Sequence, residues 1–218
     1  MSLSAPVIDD VMHRREGSIV TVRVDTQTVD LALTAVGTAA VDTAVSRLAE
    51  LLDGGVSLTD AVDRVTRESV DLPGHTSRHV LPNGALVLDD TQASTALEVR
   101  ASLRVLADLT RQHGRSIAVL GELASDPAEW FDDHDALGRI IVRLDVSQLI
   151  VIGDGARHIH NAAGLEGSWD GESILVETLE QAYDVVRAQV DEGDVVLVSA
   201  ASRTPLSSLV ERLLEADR

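Results

Sequence analysis

The chain contains no cysteine and no lysine. The first absence excludes disulfides, thiolate zinc sites and cysteine nucleophiles, and it fits a reducing compartment. The second is more specific. A phosphate-cradling loop of the G-x-x-x-x-G-K-S/T type needs its lysine, so these 218 residues contain no such loop. Aromatic residues make up only 2% of the chain. Stacking platforms for bases or sugars are therefore scarce, and the core must be built from Val, Leu, Ala and Ile. No apolar run approaches the ~18–20 residues of a membrane span. The longest, such as Ile117 to Leu120 and Leu149 to Ile152, suit core strands. Met1 to Asp10 lacks a basic start followed by an apolar block, so no secretion signal is expected. A soluble cytoplasmic protein is the expectation.

Positive charge is also short. The chain has 36 acidic and 18 basic residues, for a net charge of −18. This disfavours nucleic acid, which needs a basic face, and equally an anionic membrane surface. A phosphate-bearing ligand would have to be held by backbone N–H groups and one or two arginines.

Two regions are expected. Residues 1–16 are polar and mixed, and read as a loose leader. Ile19 to Val24 and Gln27 to Leu33 read as a hairpin turning at Asp25–Thr26. Val41, Ala44, Val45, Leu48, Leu51 and Leu52 fall at helical spacing over residues 38–52, and Gly54–Gly55 stops that helix. A second helix is expected over 58–69. Leu72-Pro73-Gly74-His75 is the expected domain boundary. After it, strands at 85–88, 116–120, 148–152, 174–176 and 195–198 alternate with helices at 94–113, 130–144, 158–163, 179–190 and 207–216. That alternation predicts an α/β fold: a Rossmann-like, mostly parallel sheet with helices on both faces. Ligands of such sheets sit at the carboxyl ends of the strands.

The residues at those ends are the candidates. Asp89-Asp90-Thr91 offers two carboxylates that can bind ribose hydroxyls or a metal, or else caps the next helix. Gly121-Glu122 and Gly153-Asp154-Gly155-Ala156 allow close approach of a ligand, or simply turn the chain. The second lacks the third glycine of a dinucleotide fingerprint. His134, within Asp132-Asp133-His134-Asp135, is a site residue, a metal ligand or a packed helix residue. His158 and His160 are two apart and cannot share a metal from one helix face. His75 and His79 flank Arg78 in an expected loop, with no third ligand. Ser199, Ser202 and Arg203 could grip a carboxylate, or lead into the helix that Thr204-Pro205 announces. No G-x-S-x-G elbow surrounds any serine. No catalytic residue and no metal site is assigned.

The order of these segments resembles the Mur ligase family, and within it the branch that adds a D-alanyl-D-alanine dipeptide. There a loop ending in Pro-Gly-Arg leads to a strand, then to an Asp-Asp-Ser-Tyr-Asn-Ala-Asn-Pro stretch that opens a long helix. Here Pro73-Gly74 and Arg78 precede Ala85 to Leu88, then Asp89-Asp90-Thr91-Gln92-Ala93-Ser94-Thr95. The family continues with Gly-Asp-Met after a strand, a histidine-bearing helix, a strand ending in Gly, and a last strand with Lys-Gly-Ser-Arg. The counterparts are Gly121-Glu122-Leu123, His134 with Gly138, Ile150-Val151-Ile152-Gly153, and Ser199-Ala200-Ala201-Ser202-Arg203. The resemblance covers residues 70–216. Residues 17–72 are similar to the tail of the family's central domain, and residues 73–218 to its carboxyl-terminal domain.

The resemblance implies ATP-dependent amide formation through an acyl phosphate, in the synthesis of cell-wall peptidoglycan precursors. ATP and Mg2+ would be held mainly by regions absent from this chain. The carboxyl-terminal domain closes over the nucleotide and presents the incoming amino acid or dipeptide. Arg78 and Asp90 would then contact the nucleotide, Asp90 at the ribose. Ser94, Ser199, Ser202 and Arg203 would lie near the incoming amine, with Asp89, Gly121, Glu122 and His134 as further possible site residues. The implied partners are the amino-terminal and central ligase domains, a UDP-muramoyl peptide, and a D-amino acid or dipeptide. Lacking a phosphate-loop lysine, the chain is expected to be a ligase fragment inactive alone. Gln92, Ala93 and Thr95 depart from the family pattern, Ala200 stands where a lysine is usual, and Ser125-Asp126-Pro127 replaces a Leu-Gly pair. These departures support the alternative of a catalytically inactive, ligase-like binding or scaffold protein.

Overall fold

The computed structural model describes residues 4–68, 71–166, 169, 171–200 and 204–215. The chain divides into two compact units, Met1–Leu72 and Pro73–Arg218.

The first unit is a three-stranded antiparallel sheet covered by two helices. Its strands β1 (Val7–Arg14), β2 (Gly17–Val24) and β3 (Gln27–Leu33) lie in that order. The loose leader expected over residues 1–16 is corrected here, because Val7–Arg14 pairs with β2 along its length. Its polar sequence has a physical reason: β1 is an edge strand exposed over most of both faces, so it needs no apolar alternation. The turn to β3 places Asp25 at φ 53, as two-residue hairpins require. Inward residues Val20, Val22, Val24, Leu31 and Leu33 pack on α1 (Thr38–Asp53) and α2 (Leu58–Glu68). Gly55, at φ 81, ends α1: its N–H bonds to Leu52 O and that of Val56 to Leu51 O, the paired closure of a left-handed helix cap.

The second unit is a six-stranded sheet in the order β4-β5-β9-β6-β7-β8. Its elements are β4 (Ser77–Val80), β5 (Leu86–Asp90), α3 (Ala96–Thr110), β6 (Ser116–Leu120), α4 (Trp130–Arg143), β7 (Gln148–Ile152), α5 (Arg157–Leu165), β8 (Glu172–Val176), α6 (Leu179–Gln189), β9 (Val195–Ser199) and α7 (Leu206–Glu215). All pairings are parallel except β4 with β5. The expected α/β, mostly parallel architecture is therefore the observed one. The four central strands are apolar on both faces because helices cover both. Val87, Ile117, Val119, Ile150, Val196 and Val198 pack against α6 and α7. The alternate residues, including Leu88, Ala118, Leu149 and Leu197, face the other side, where α3 meets β6 and β9, and α5 meets β7 and β8.

The loop expected around Arg78 is corrected as well. Ser77–Val80 is a strand, antiparallel to β5, with Arg78 opposite Leu88. Four residues with one apolar side chain carry too little alternation to announce it. Among the described residues, no helix is long and apolar enough to cross a membrane.

Candidate functional site

Parallel register brings three strand ends side by side. Asp90 of β5 lies opposite Ser199 of β9, which in turn lies opposite Leu120 of β6. The chain leaves all three at the carboxyl edge of the sheet, where ligands of such folds bind.

Asp90 is at the centre of this edge and is only 3% exposed. Its Oδ2 accepts the Ser199 hydroxyl at 2.7 Å, and its Oδ1 accepts the Thr76 N–H at 3.1 Å. Ser102 of α3 also reaches the carboxyl. Burial pushes its pKa up from 3.8 to about 7, against the opposing pull of Ser199, Ser102 and Thr76, and the neighbouring Asp89 charge adds to the rise. The Ser102 hydroxyl also has the Glu98 carbonyl oxygen 3.2 Å away.

Arg78 and Asp90 share one face of the sheet. Residues directly opposite on paired strands point the same way, so Arg78 follows Leu88, and Asp90 lies two residues beyond Leu88. Asp89 points to the other face, opposite Ser77. It accepts the Thr91 N–H at 3.1 Å and the Thr91 hydroxyl at 2.7 Å, closing a tight local turn. The cap of α3 is neither Asp90 nor Thr91. Thr95 accepts the Glu98 N–H, and the Glu98 carboxylate accepts back from the Thr95 N–H at 3.0 Å. Ser94 precedes that cap. Its N–H donates to Glu98, its carbonyl accepts from Ala124 N–H at 2.8 Å, and it lines a cavity of about 340 Å³ with Thr91, Gln92 and Thr204. Ser202 and Arg203 lie outside the described residues.

The exit of β6 forms a second wall. Gly121 is required there for packing. A Cβ on it would sit 2.5 Å from the Ala200 carbonyl oxygen, so glycine lets the β6 and β9 exits touch. Glu122 Oε1 accepts the Trp130 Nε1–H at 3.3 Å, and the Glu122 side chain lies over Gly155, where a Cβ would strike it. His134 is fully buried, and both ring nitrogens are engaged by backbone. Nδ1 donates to Trp130 O at 2.6 Å, and Nε2 accepts the Leu123 N–H at 3.2 Å. Those partners fix the neutral tautomer, and burial lowers the histidine pKa accordingly. His134 thus pins the β6–α4 loop to the first turn of α4. This loop lines a cavity of about 780 Å³ with Glu122, Ser125, Asp126, Pro127 and Trp130. His158 meets Trp130 and Phe131 edge-on, whereas His160 bonds Ser173. The described residues contain no group of three acidic or imidazole side chains able to hold a metal.

Some of these residues were not legible in the sequence. Thr76 gave no signal. Ser102 did: it sits within the buried stripe of Val99, Leu103 and Leu106 on α3, and a serine there implies a buried polar partner. Trp130 is one of only two tryptophans, and it organises the aromatic contacts beside Glu122.

A mostly parallel six-stranded sheet with helices on both faces and glycines at the β6 and β7 exits defines a domain of the doubly wound α/β class. Comparison with known proteins narrows the class. The family model described as Mur ligase, glutamate ligase domain, matches residues 77–202. A UDP-N-acetylmuramoyl-tripeptide–D-alanyl-D-alanine ligase of Mycobacterium leprae is 37% identical over 161 residues, which cover 65% of this chain and 31% of that protein. The ligase of the same name from Mycobacterium tuberculosis H37Rv is 35% identical over 151 residues, covering 62% and 30%. Among solved structures, MurF of Acinetobacter baumannii superposes with a TM-score of 0.76 at 20% identity, over 97% of this chain and 46% of that one. The MurF ligase of Thermotoga maritima in complex with ADP gives 0.77 at 17% identity, over 97% and 46%. The chain belongs to the Mur ligase family. It spans about a third of the length of the curated relatives it matches.

Proposed function

We propose that the chain supplies the carboxyl-terminal part of an ATP-dependent Mur-type peptide ligase acting on peptidoglycan precursors in the cytoplasm. In this reading Arg78 serves the nucleotide side, and Asp90, buried behind it, holds that strand end in place. Ser94, Ser199, Ser202 and Arg203 serve the incoming amino acid or dipeptide. The second substrate is a UDP-muramoyl peptide, held with ATP by amino-terminal and central domains. The observation that carries the proposal is the common face of Arg78 and Asp90 at the strand ends, beside Ser199 and next to the Ser94 cavity. The described residues offer no cluster of three ligands for Mg2+, and in this reading the ion is held by the amino-terminal and central domains. What this chain's residues do is bind, orient and close, which shields an acyl phosphate from water.

One observation favours the alternative, a binding or scaffold protein without catalysis. The Asp90 carboxyl is enclosed by its own protein partners, and a buried alanine, Ala200, stands where the family uses lysine. A reconstitution separates the two. The chain is mixed with the remainder of the M. leprae relative, the part this chain does not match, and ADP release is followed with and without D-alanyl-D-alanine. The ligase reading expects release only from the mixture, dependent on the dipeptide and lost on Arg78→Ala. Release by the chain alone, or none from pieces shown to associate, refutes it.

A further inference from the structure

Two residues flank the Asp90 hydrogen bonds with unusual backbones, Thr76 as a donor to the carboxyl and Ala200 as the neighbour of the donor Ser199. Thr76 has φ 56 and Ala200 has φ 62, both in the left-handed region that favours glycine. Both are buried, at 3% and 0% exposure. A β-branched residue in that region is an outlier, held only where its surroundings over-determine it. The surroundings here converge on one side chain. Thr76 N–H donates to Asp90 Oδ1, and Ser199, the residue before Ala200, donates its hydroxyl to Asp90 Oδ2. Ser102 brings α3 to the same carboxyl. Backbone bonds hold the neighbouring turns in place: Gln92 N–H to Gly74 O at 2.9 Å, and Gly121 N–H to Ser199 O at 3.2 Å.

We infer that Asp90 is a positioning residue, a two-sided clamp that mechanically couples the loop entering β4 to the exit of β9. On one side Thr76 stands two residues before Arg78. On the other, Ser199 ends β9 and leads into Ala200. In the proposed ligase these are the nucleotide side and the amine side, so ordering the entry to β4 stiffens the exit of β9. The coupling itself rests only on the geometry. The carboxyl has two oxygens, each committed to a different strained segment, and it is too enclosed to turn without releasing one of them. Ser199 fixes that orientation, so losing its hydroxyl frees the carboxyl to rotate and weakens the bond to Thr76.

Amide hydrogen exchange resolved by NMR on the full chain tests this without any nucleotide, so its outcome is independent of whether the chain serves a ligase. Ser199→Ala is expected to speed exchange at Thr76 at least several-fold more than at Val151 in the centre of β7. Asp90→Ala should do the same at both Thr76 and Ala200. Asp90→Asn keeps an acceptor for Thr76 and offers an amide to Ser199, and should restore slow exchange at Thr76. In the Asp90→Ala background, adding Ser199→Ala should change Thr76 no further. If Ser199→Ala leaves Thr76 unchanged, or raises it only as far as Val151, the clamp is overturned. It is equally overturned if Ser199→Ala still speeds Thr76 when Asp90 is already alanine.

Discussion

Asp90→Asn separates the charge of this side chain from its shape. Burial moves the carboxyl pKa from 3.8 in the open chain to about 7 in the folded one. Between those values the folded state holds a proton that the unfolded state has released, so stability falls as pH rises. The slope is ~1.4 kcal/mol per pH unit, and the whole effect is ~4 kcal/mol. It is fully in place below pH 3.8 and exhausted above about 7. Asparagine cannot ionise and removes this slope, although it alters the hydrogen bond to Ser199. The quantity to measure is therefore the pH dependence of the difference between variant and parent. Urea unfolding of both proteins at pH 5, 6, 7 and 8 should show the variant gaining about 3 kcal/mol relative to the parent across that range. His134 and the other titrating groups that are not coupled to Asp90 are common to both proteins and cancel. A difference that stays flat from pH 5 to 8 would refute the argument, because it would mean that Asp90 ionises in the folded chain as readily as in water.

Three further outcomes follow from the same contacts. His134→Ala removes partners from Trp130 O and Leu123 N–H and opens a buried hole, so denaturant unfolding should show a loss of ~3 kcal/mol. In the parent, the depressed pKa of His134 means its contribution is complete above pH 6.5 and is lost as pH falls through the folded-state value; this opposes the Asp90 slope below pH 6.5. Gly121→Ala drives a methyl against the Ala200 carbonyl and should cost ~2 kcal/mol by the same measurement. Thr95→Ala breaks the reciprocal cap of α3 and should cost ~1 kcal/mol, visible as a lower thermal midpoint.

The parallel sheet was legible because its strands are continuous apolar runs punctuated by helices at 3.6-residue spacing. Ser116–Leu120 and Gln148–Ile152 emerge with the bounds the pattern predicts. The two strands that were missed share a physical cause. Val7–Arg14 and Ser77–Val80 both lie at sheet edges, where exposure removes the pressure for apolar alternation. The site shows the same division. Strand-end residues such as Asp90 and Ser199 follow from topology alone. Their roles depend on tertiary neighbours that no spacing encodes: Thr76 arrives through the β4 loop, and Ser102 through α3. Gly121 was read as an opening for a ligand or a turn, and it is a contact between two exits. His134 was left between ligand and packing, and its ring nitrogens are engaged by Trp130 and Leu123.

The last strand in the sequence occupies a middle position in the sheet. β5 pairs in parallel only with β9, and β6 reaches β5 only through β9. Until residues 195–199 arrive, the antiparallel pair β4–β5 and the trio β6–β7–β8 share no backbone ladder. The sheet is thus keyed like an arch, its central stone made after the other five strands, and a chain cut short before Val195 would leave two unjoined halves with bare, aggregation-prone edges.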